Sequence, residues 1–148
     1  MPLNDLMADA IIKQLSMTRH PEGGWYVETF RDEGGGARGH STAIYFLLKR
    51  GERSHWHRVG DASEIWLYHA GAPLSLSLWD EGETFRIIRL GPDLVLGEQP
   101  QAVVPANVWQ AAESEGDFTL VSCVVAPGFL FSSFELAPPG WEPPFESR

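Results

Sequence analysis

Along this chain the spacing of hydrophobic positions changes once, near residue 20. Before it, Leu3, Leu6, Met7, Ala10, Ile11 and Leu15 recur at helical spacing. They predict a helix over about residues 4–15, with Asn4 or Asp5 as its N-cap. His20-Pro21-Glu22-Gly23-Gly24 then breaks the pattern, because proline holds the preceding residue extended and glycine admits backbone shapes that other residues resist. From Trp25 onward polar and apolar residues alternate in short runs, the signature of half-buried strands. Strands are expected at 25–31, 42–48, 54–58, from 64 to the turn at 71, then at 74–79, 84–90, 102–105, 108–112 and 118–125. In the first of them Tyr26, Glu28 and Phe30 should face away from Val27 and Thr29. Turn residues at 71–73, 80–82 and 115–117 separate later strands. The glycine-rich stretch 32–39 reads as a hairpin connection, with a lid as the alternative. After the aromatic run 129–134, a last strand leads into an arm over about 137–148 that holds four of the eleven prolines. Many short strands after one helix indicate an all-β sandwich or barrel, and no strand–helix alternation supports a parallel sheet.

Composition narrows the function classes. At 148 residues, with 43% hydrophobic positions, the chain fits one domain with a substantial core. No apolar run reaches the ~18–20 residues of a membrane span, and no basic segment followed by an apolar core opens the chain. The single cysteine, Cys123, reads as a small core residue, and its solitude fits a cytoplasmic protein. Eleven basic against twenty acidic residues give a net charge of −9. That balance argues against binding nucleic acid or an anionic membrane surface. A small-molecule ligand remains, and Arg31, Arg38, Arg53 or Arg58 could hold one anionic group on it.

Candidate chemistry concentrates in residues 54–71. If 54–58 is a regular strand, His55 and His57 share one face and Trp56 takes the other. Glu64, Trp66 and Tyr68 then line one face of the next strand. Two imidazoles and a carboxylate suit a divalent transition metal with open coordination positions, for oxygen chemistry or metal-assisted isomerisation. The same residues serve a metal-free acid–base site, with His57 as base beside Glu64 and Tyr68 or Tyr26 as the complementary acid. Both readings compete with a plain interior hydrogen-bond network. His69 points away from Glu64, and His20 and His40 lie near loops. Phosphate-binding glycine loops, nucleophile elbows and Cys-x-x-Cys pairs are absent.

Longer stretches carry a family resemblance. His-Pro-Glu-Gly-Gly-Trp-Tyr-Val-Glu-Thr-Phe-Arg (20–31), Ser-Thr-Ala-Ile-Tyr-Phe-Leu-Leu (41–48), Ser-x-x-His-Arg (54–58) and Glu-Ile-Trp…Ala-Gly (64–71) resemble the type-5 cupin family of unknown function. Val-Pro-Ala-Asn-Val-Trp-Gln-Ala-Ala (104–112) and Val-Ala-Pro-Gly-Phe-Leu-Phe-Ser-Ser-Phe-Glu-Leu (125–136) continue it in order. The resemblance implies a cupin double-stranded β-helix, a jelly-roll barrel enclosing a ligand cavity, and a homodimer. Against the general cupin motifs two departures stand out. Only three residues separate Gly51 from His55, while six separate His57 from Glu64. In the second motif Asn107 replaces the usual glycine and Gln110 the usual ligand histidine.

The resulting expectation is a small-molecule-binding barrel of the isomerase, epimerase or lyase type. His57 is the base, Glu64 its orienting partner, Tyr26 or Tyr68 the acid and Arg58 an anion anchor. Trp66, Trp109, Gln110 and Phe131 are wall candidates, with Glu22 and Trp25 at the mouth. A metal-dependent oxygenase or isomerase using His55, His57, Glu64 and Gln110 is the alternative, and a non-catalytic ligand sensor is the third reading.

Overall fold

Short alternating segments cannot bury their apolar faces singly, so they assemble into two facing sheets. A computed structural model describes residues 3–34, 36–82 and 84–144. After helix α1 (Leu3–Gln14) come β1 (Thr18–Arg19), β2 (Trp25–Arg31), β3 (Thr42–Lys49), β4 (Arg53–Val59), β5 (Ser63–Gly71) and β6 (Leu74–Trp79). β7 (Phe85–Leu90), β8 (Gln101–Val104), β9 (Trp109–Ser114), β10 (Phe118–Ala126) and β11 (Phe134–Leu136) complete the set. One sheet runs β1-β2-β3-β10-β5-β8 and the other β11-β4-β9-β6-β7, with antiparallel pairing throughout. The chain crosses repeatedly between the sheets, giving an all-β jelly roll with one short N-terminal helix.

Inward positions divide the interior into two zones. On β3, Phe46 and Leu48 are buried, as is Trp66 on β5; they meet Leu74, Leu76, Leu78 and Leu90 of the opposite sheet. Toward the other end of the same strands, Thr42, Ile44 and Glu64 line a cavity instead. Full burial of each large apolar side chain contributes roughly 1.5–3 kcal/mol, so the packed end anchors the open one.

The helix buries a face different from the expected one. Ala8, Ile11, Ile12 and Leu15 pack on Leu47 and Phe118, on the outer side of the six-stranded sheet. Met7 stays 47% exposed. The C-terminal arm covers the outer side of the other sheet. There Trp141 packs with Trp56, Trp79 and Trp109, the Ala137 amide donates to the Trp56 carbonyl (2.9 Å), and Trp56 Nε1–H donates to Glu142 (2.9 Å). Residues 145–148 of the expected arm lie outside the described residues.

Two strands depart from strict alternation beside the cavity. The β2–β3 register shifts between Glu28 and Phe30, and the β4–β9 register shifts between Ser54 and His57. A bulge inserts an extra residue and re-aims the side chains that follow. Thus Tyr26, Glu28 and Arg31 line the cavity while Phe30 is 53% exposed, contrary to the regular pattern. In β4, Ser54, His57 and Val59 turn inward, whereas His55 and Trp56 both meet the arm. His55 and His57 therefore do not share a face.

Candidate functional site

The cavity, about 320 Å³, lies at the end of the barrel where β2, β3, β4, β5 and β10 face one another. The 20–22 loop supplies His20 and Glu22, and the 129–134 segment closes the mouth with Phe129, Phe131 and Phe134. Their rings meet edge to face, with centroids 4.9 to 5.9 Å apart.

Glycine explains how Glu22 reaches the interior. Gly23 has φ +110°, and a Cβ there would collide with the Arg53 carbonyl oxygen. The bare backbone lets the loop lie against β4, where the His55 amide donates to the Glu22 carbonyl (2.8 Å). Glu22 is consequently only 9% exposed, and its carboxyl Oε2 accepts from the Ser54 hydroxyl.

Hydrogen bonding fixes the histidine tautomers. His57 Nδ1 lies 2.8 Å from the His55 carbonyl oxygen, which can only accept, so Nδ1 carries the proton. The Nε2 lone pair is left free toward Glu22 Oε1, 3.5 Å away. His20 is opposite: its Nδ1 accepts the Glu22 amide N–H (3.1 Å), placing its proton on Nε2. Glu22 Oε1 lies 3.4 Å from that occupied His20 nitrogen. A proton on Oε1 therefore has one open acceptor nearby, His57 Nε2.

Burial governs the charge states. It raises the Glu22 carboxyl to about 8, against the opposing Ser54 hydrogen bond. It lowers His20 to about 4, helped by proximity to His57. Burial also pushes His57 down, while the nearby Glu64 charge pulls it back up. Glu64 is raised by burial and opposed by His57. At neutral pH, Glu22 thus keeps its proton and His20 is neutral.

Glu64 sits in a more directed setting. Trp66 Nε1–H can only donate, so it takes the Gln110 carbonyl oxygen (2.9 Å). That orientation turns the Gln110 NH₂ toward Glu64 Oε1 (2.9 Å). The Cys123 thiol also donates to Glu64. The two carboxyls beside His57 thus have unequal surroundings, with more donors aimed at Glu64 than at Glu22.

Several expected residues lie elsewhere. Trp109 and Gln110 are consecutive on β9, so only one can face inward; Trp109 joins the outer tryptophan cluster and donates to Glu81 (2.8 Å). Arg58 stacks over Trp109, 4.5 Å from the ring, and pairs with Glu81 and Glu135 on that outer side. Trp25 packs in the helix-side cluster beneath Arg19. Tyr68 shares the inward face with Glu64 and Trp66, but its hydroxyl donates to the Gly71 carbonyl (2.6 Å) and it does not line the cavity. Tyr26 does line it, 4.5 Å from the His20 ring. Phe131 also lines the cavity, whereas Trp66 and Gln110 act from behind its wall.

The expected metal set does not assemble. His55 Nε2 is bound to the Pro138 carbonyl oxygen (2.9 Å) outside the barrel, and both ends of the Gln110 amide are engaged. Among the described residues no group of three or more His, Cys, Asp or Glu is placed to hold a metal ion. Sequence reasoning missed His20, Glu28 and Cys123 as cavity residues. The signal for His20 was the Pro-Glu-Gly-Gly stretch that follows it; for Cys123 it was two-residue spacing from Val121 and Val125.

The family model described as Cupin superfamily (DUF985), Cupin_5, matches residues 9–137. A crystallised protein of Shewanella oneidensis is 41% identical, with a TM-score of 0.83 over 88% of this chain and 84% of that one. A Leishmania major protein is 33% identical, with a TM-score of 0.81 over 88% and 86%. Oxalate decarboxylase of Bacillus subtilis shares the fold at 16% identity and a TM-score of 0.62, over 80% of this chain and 29% of that one. No curated protein sequence matches the chain. Among the described residues no helix is long and apolar enough to cross a membrane.

Proposed function

This chain belongs to the Cupin_5 family of the cupin superfamily, and from that premise we propose that its cavity binds a small organic molecule and moves a proton on it. The reaction class is that of an isomerase, epimerase or lyase. One observation carries the reading: the free Nε2 of His57 lies 3.5 Å from Oε1 of Glu22, a buried carboxyl that burial pushes up to about 8.

A balanced step follows for a hydroxy-carbonyl ligand. His57 Nε2 takes the proton from the carbon beside the carbonyl, while Glu22 Oε1–H gives its proton to the carbonyl oxygen. The product is an enol, with imidazolium at His57 and carboxylate at Glu22. The Gln110 and Cys123 donors aimed at Glu64 favour its charged form beside the imidazolium, against the burial that raises it. Return of the proton to another carbon or face gives the isomer and restores both groups. Tyr26, which lines the cavity where Tyr68 does not, is the acid this reading assigns to assist the oxygen.

Incubation of the protein in D₂O with a panel of small hydroxy-carbonyl compounds tests this directly. The reading predicts catalytic deuterium incorporation into at least one compound. Ligands that raise the unfolding temperature yet return unlabelled make the protein a binding module instead. The reading includes a homodimer, supported by the exposed apolar residues Leu94, Val95, Leu96 and Val103. A monomeric mass in light scattering removes that part.

A further inference from the structure

We propose that the cavity selects an uncharged ligand with a hydroxy-carbonyl head and an aromatic or apolar body, and that Glu28 sets this preference by neutralising Arg31. The head-group chemistry rests on the proton-transfer reading above, whereas the charge preference stands on the cavity's own ion pairing.

Among the described residues lining the cavity, Arg31 is the only Lys or Arg. Its Nη2 donates to Glu28 Oε1 (2.8 Å) and to the Phe129 carbonyl (2.9 Å), and its Nη1 donates to the Arg38 carbonyl (3.0 Å). The guanidinium therefore already has a counter-ion inside the same cavity. An anionic ligand would meet that satisfied cation together with three carboxyl side chains, Glu22, Glu28 and Glu64. It would lose its hydration without gaining a free partner. An ammonium group fares no better, because Glu22 holds a proton at neutral pH and Glu64 already receives Gln110 and Cys123.

An uncharged head finds what the site offers. Glu22 presents an O–H, His57 an acceptor nitrogen, and Tyr26 a hydroxyl with no hydrogen-bond partner among the described residues. The mouth offers three phenyl rings, of which Phe131 is 53% exposed and open to a ligand's apolar body.

Three matched phenyl ketones give the test: uncharged 2-hydroxyacetophenone, anionic benzoylformate, and 2-aminoacetophenone as its ammonium form. Each is titrated into the wild-type protein and into Glu28→Gln at pH 7, with calorimetry as the readout. The wild type is expected to bind the uncharged probe about tenfold more tightly than either charged one. In Glu28→Gln, benzoylformate gains about tenfold relative to the uncharged probe, because Arg31 is released. Equal or tighter binding of a charged probe by the wild type, no binding of any probe, or an unchanged benzoylformate affinity in the variant overturns the proposal. Thermal unfolding of Glu28→Gln confirms that the comparison is made on folded protein. Deuterium exchange into bound 2-hydroxyacetophenone reports separately: the expected ranking without exchange removes the proton-transfer reading and leaves the charge preference standing.

Discussion

Strands β4 and β9 present opposite designs on their two faces. Outward they carry Trp56 and Trp109, which join Trp79 and Trp141 in an apolar cluster under the C-terminal arm. Inward they carry Ser54, His57 and Gln110, a buried polar group whose members contact Glu22, Glu64 and Trp66. The outer face gains most of its stability from area removed from water, with the indole N–H groups of Trp56 and Trp109 donating to Glu142 and Glu81 at its rim. The inner face spends burial on groups that resist it, and each stays there because a specific donor or acceptor meets it. Stability and chemistry are thus separated by the thickness of one sheet.

The strongest way to break this contrast is on the outer face. Trp56 is fully buried, and Trp56→Ala is expected to destabilise the fold by about 3–5 kcal/mol in denaturant titration. The matching change inside is His57→Gln. Solvent deuterium incorporation should fall about hundredfold, with a loss of unfolding free energy smaller than that of Trp56→Ala. If the two variants instead lose stability equally, the faces are not distinct in kind.

Glu22→Gln sharpens the inner side through pH. Folding raises Glu22 from 4.5 to about 8, so the folded state holds a proton that the unfolded chain releases. This group's stabilisation is fully present below pH 4.5 and is lost as pH rises toward 8. His20, lowered from 6.5 to about 4, acts oppositely: its contribution is present above 6.5 and is lost as pH falls. The two offset each other between about pH 4.5 and 6.5, leaving Glu22 dominant above that window. The Glu22 contribution should therefore decline by about 2 kcal/mol between pH 6.5 and 8, with Glu64, also raised by burial, acting in the same direction. Glu22→Gln should make that limb shallower by the Glu22 share, as seen in unfolding curves across pH. The smallest effect belongs to Arg58→Ala. Its partners Glu81 and Glu135 are exposed on the outer side, so the change should cost about 1 kcal/mol or less and leave deuterium incorporation intact.

Arg58 also shows where sequence reading reached its limit. The strands, their order of appearance and an all-β sandwich or barrel were legible, because alternation and turn residues are local signals; the jelly roll itself came from the family resemblance. Which residues share a face was legible only where the strands are regular. On β5 the inward set Glu64, Trp66 and Tyr68 holds. On β4 the bulge between Ser54 and His57 sends His55 outward with Trp56, and on β2 the bulge before Phe30 brings Arg31 inward in its place. Bulges arise from pairing between strands, which one strand's pattern does not contain. Glu22 was assigned to the mouth because its loop was visible, while the close approach to β4 that Gly23 permits was not. Gln110 could be named, yet its role depends on Trp66 fixing the amide from the facing sheet.

The central claim is that a buried carboxyl holds a proton opposite a free imidazole nitrogen. Infrared difference spectroscopy between wild type and Glu22→Gln at pH 7 tests it most directly. A protonated-carboxyl C=O band present in the wild type, absent in the variant and titrating away near pH 8, is the predicted result. A Glu22 that shows only carboxylate bands at pH 7 would contradict the account.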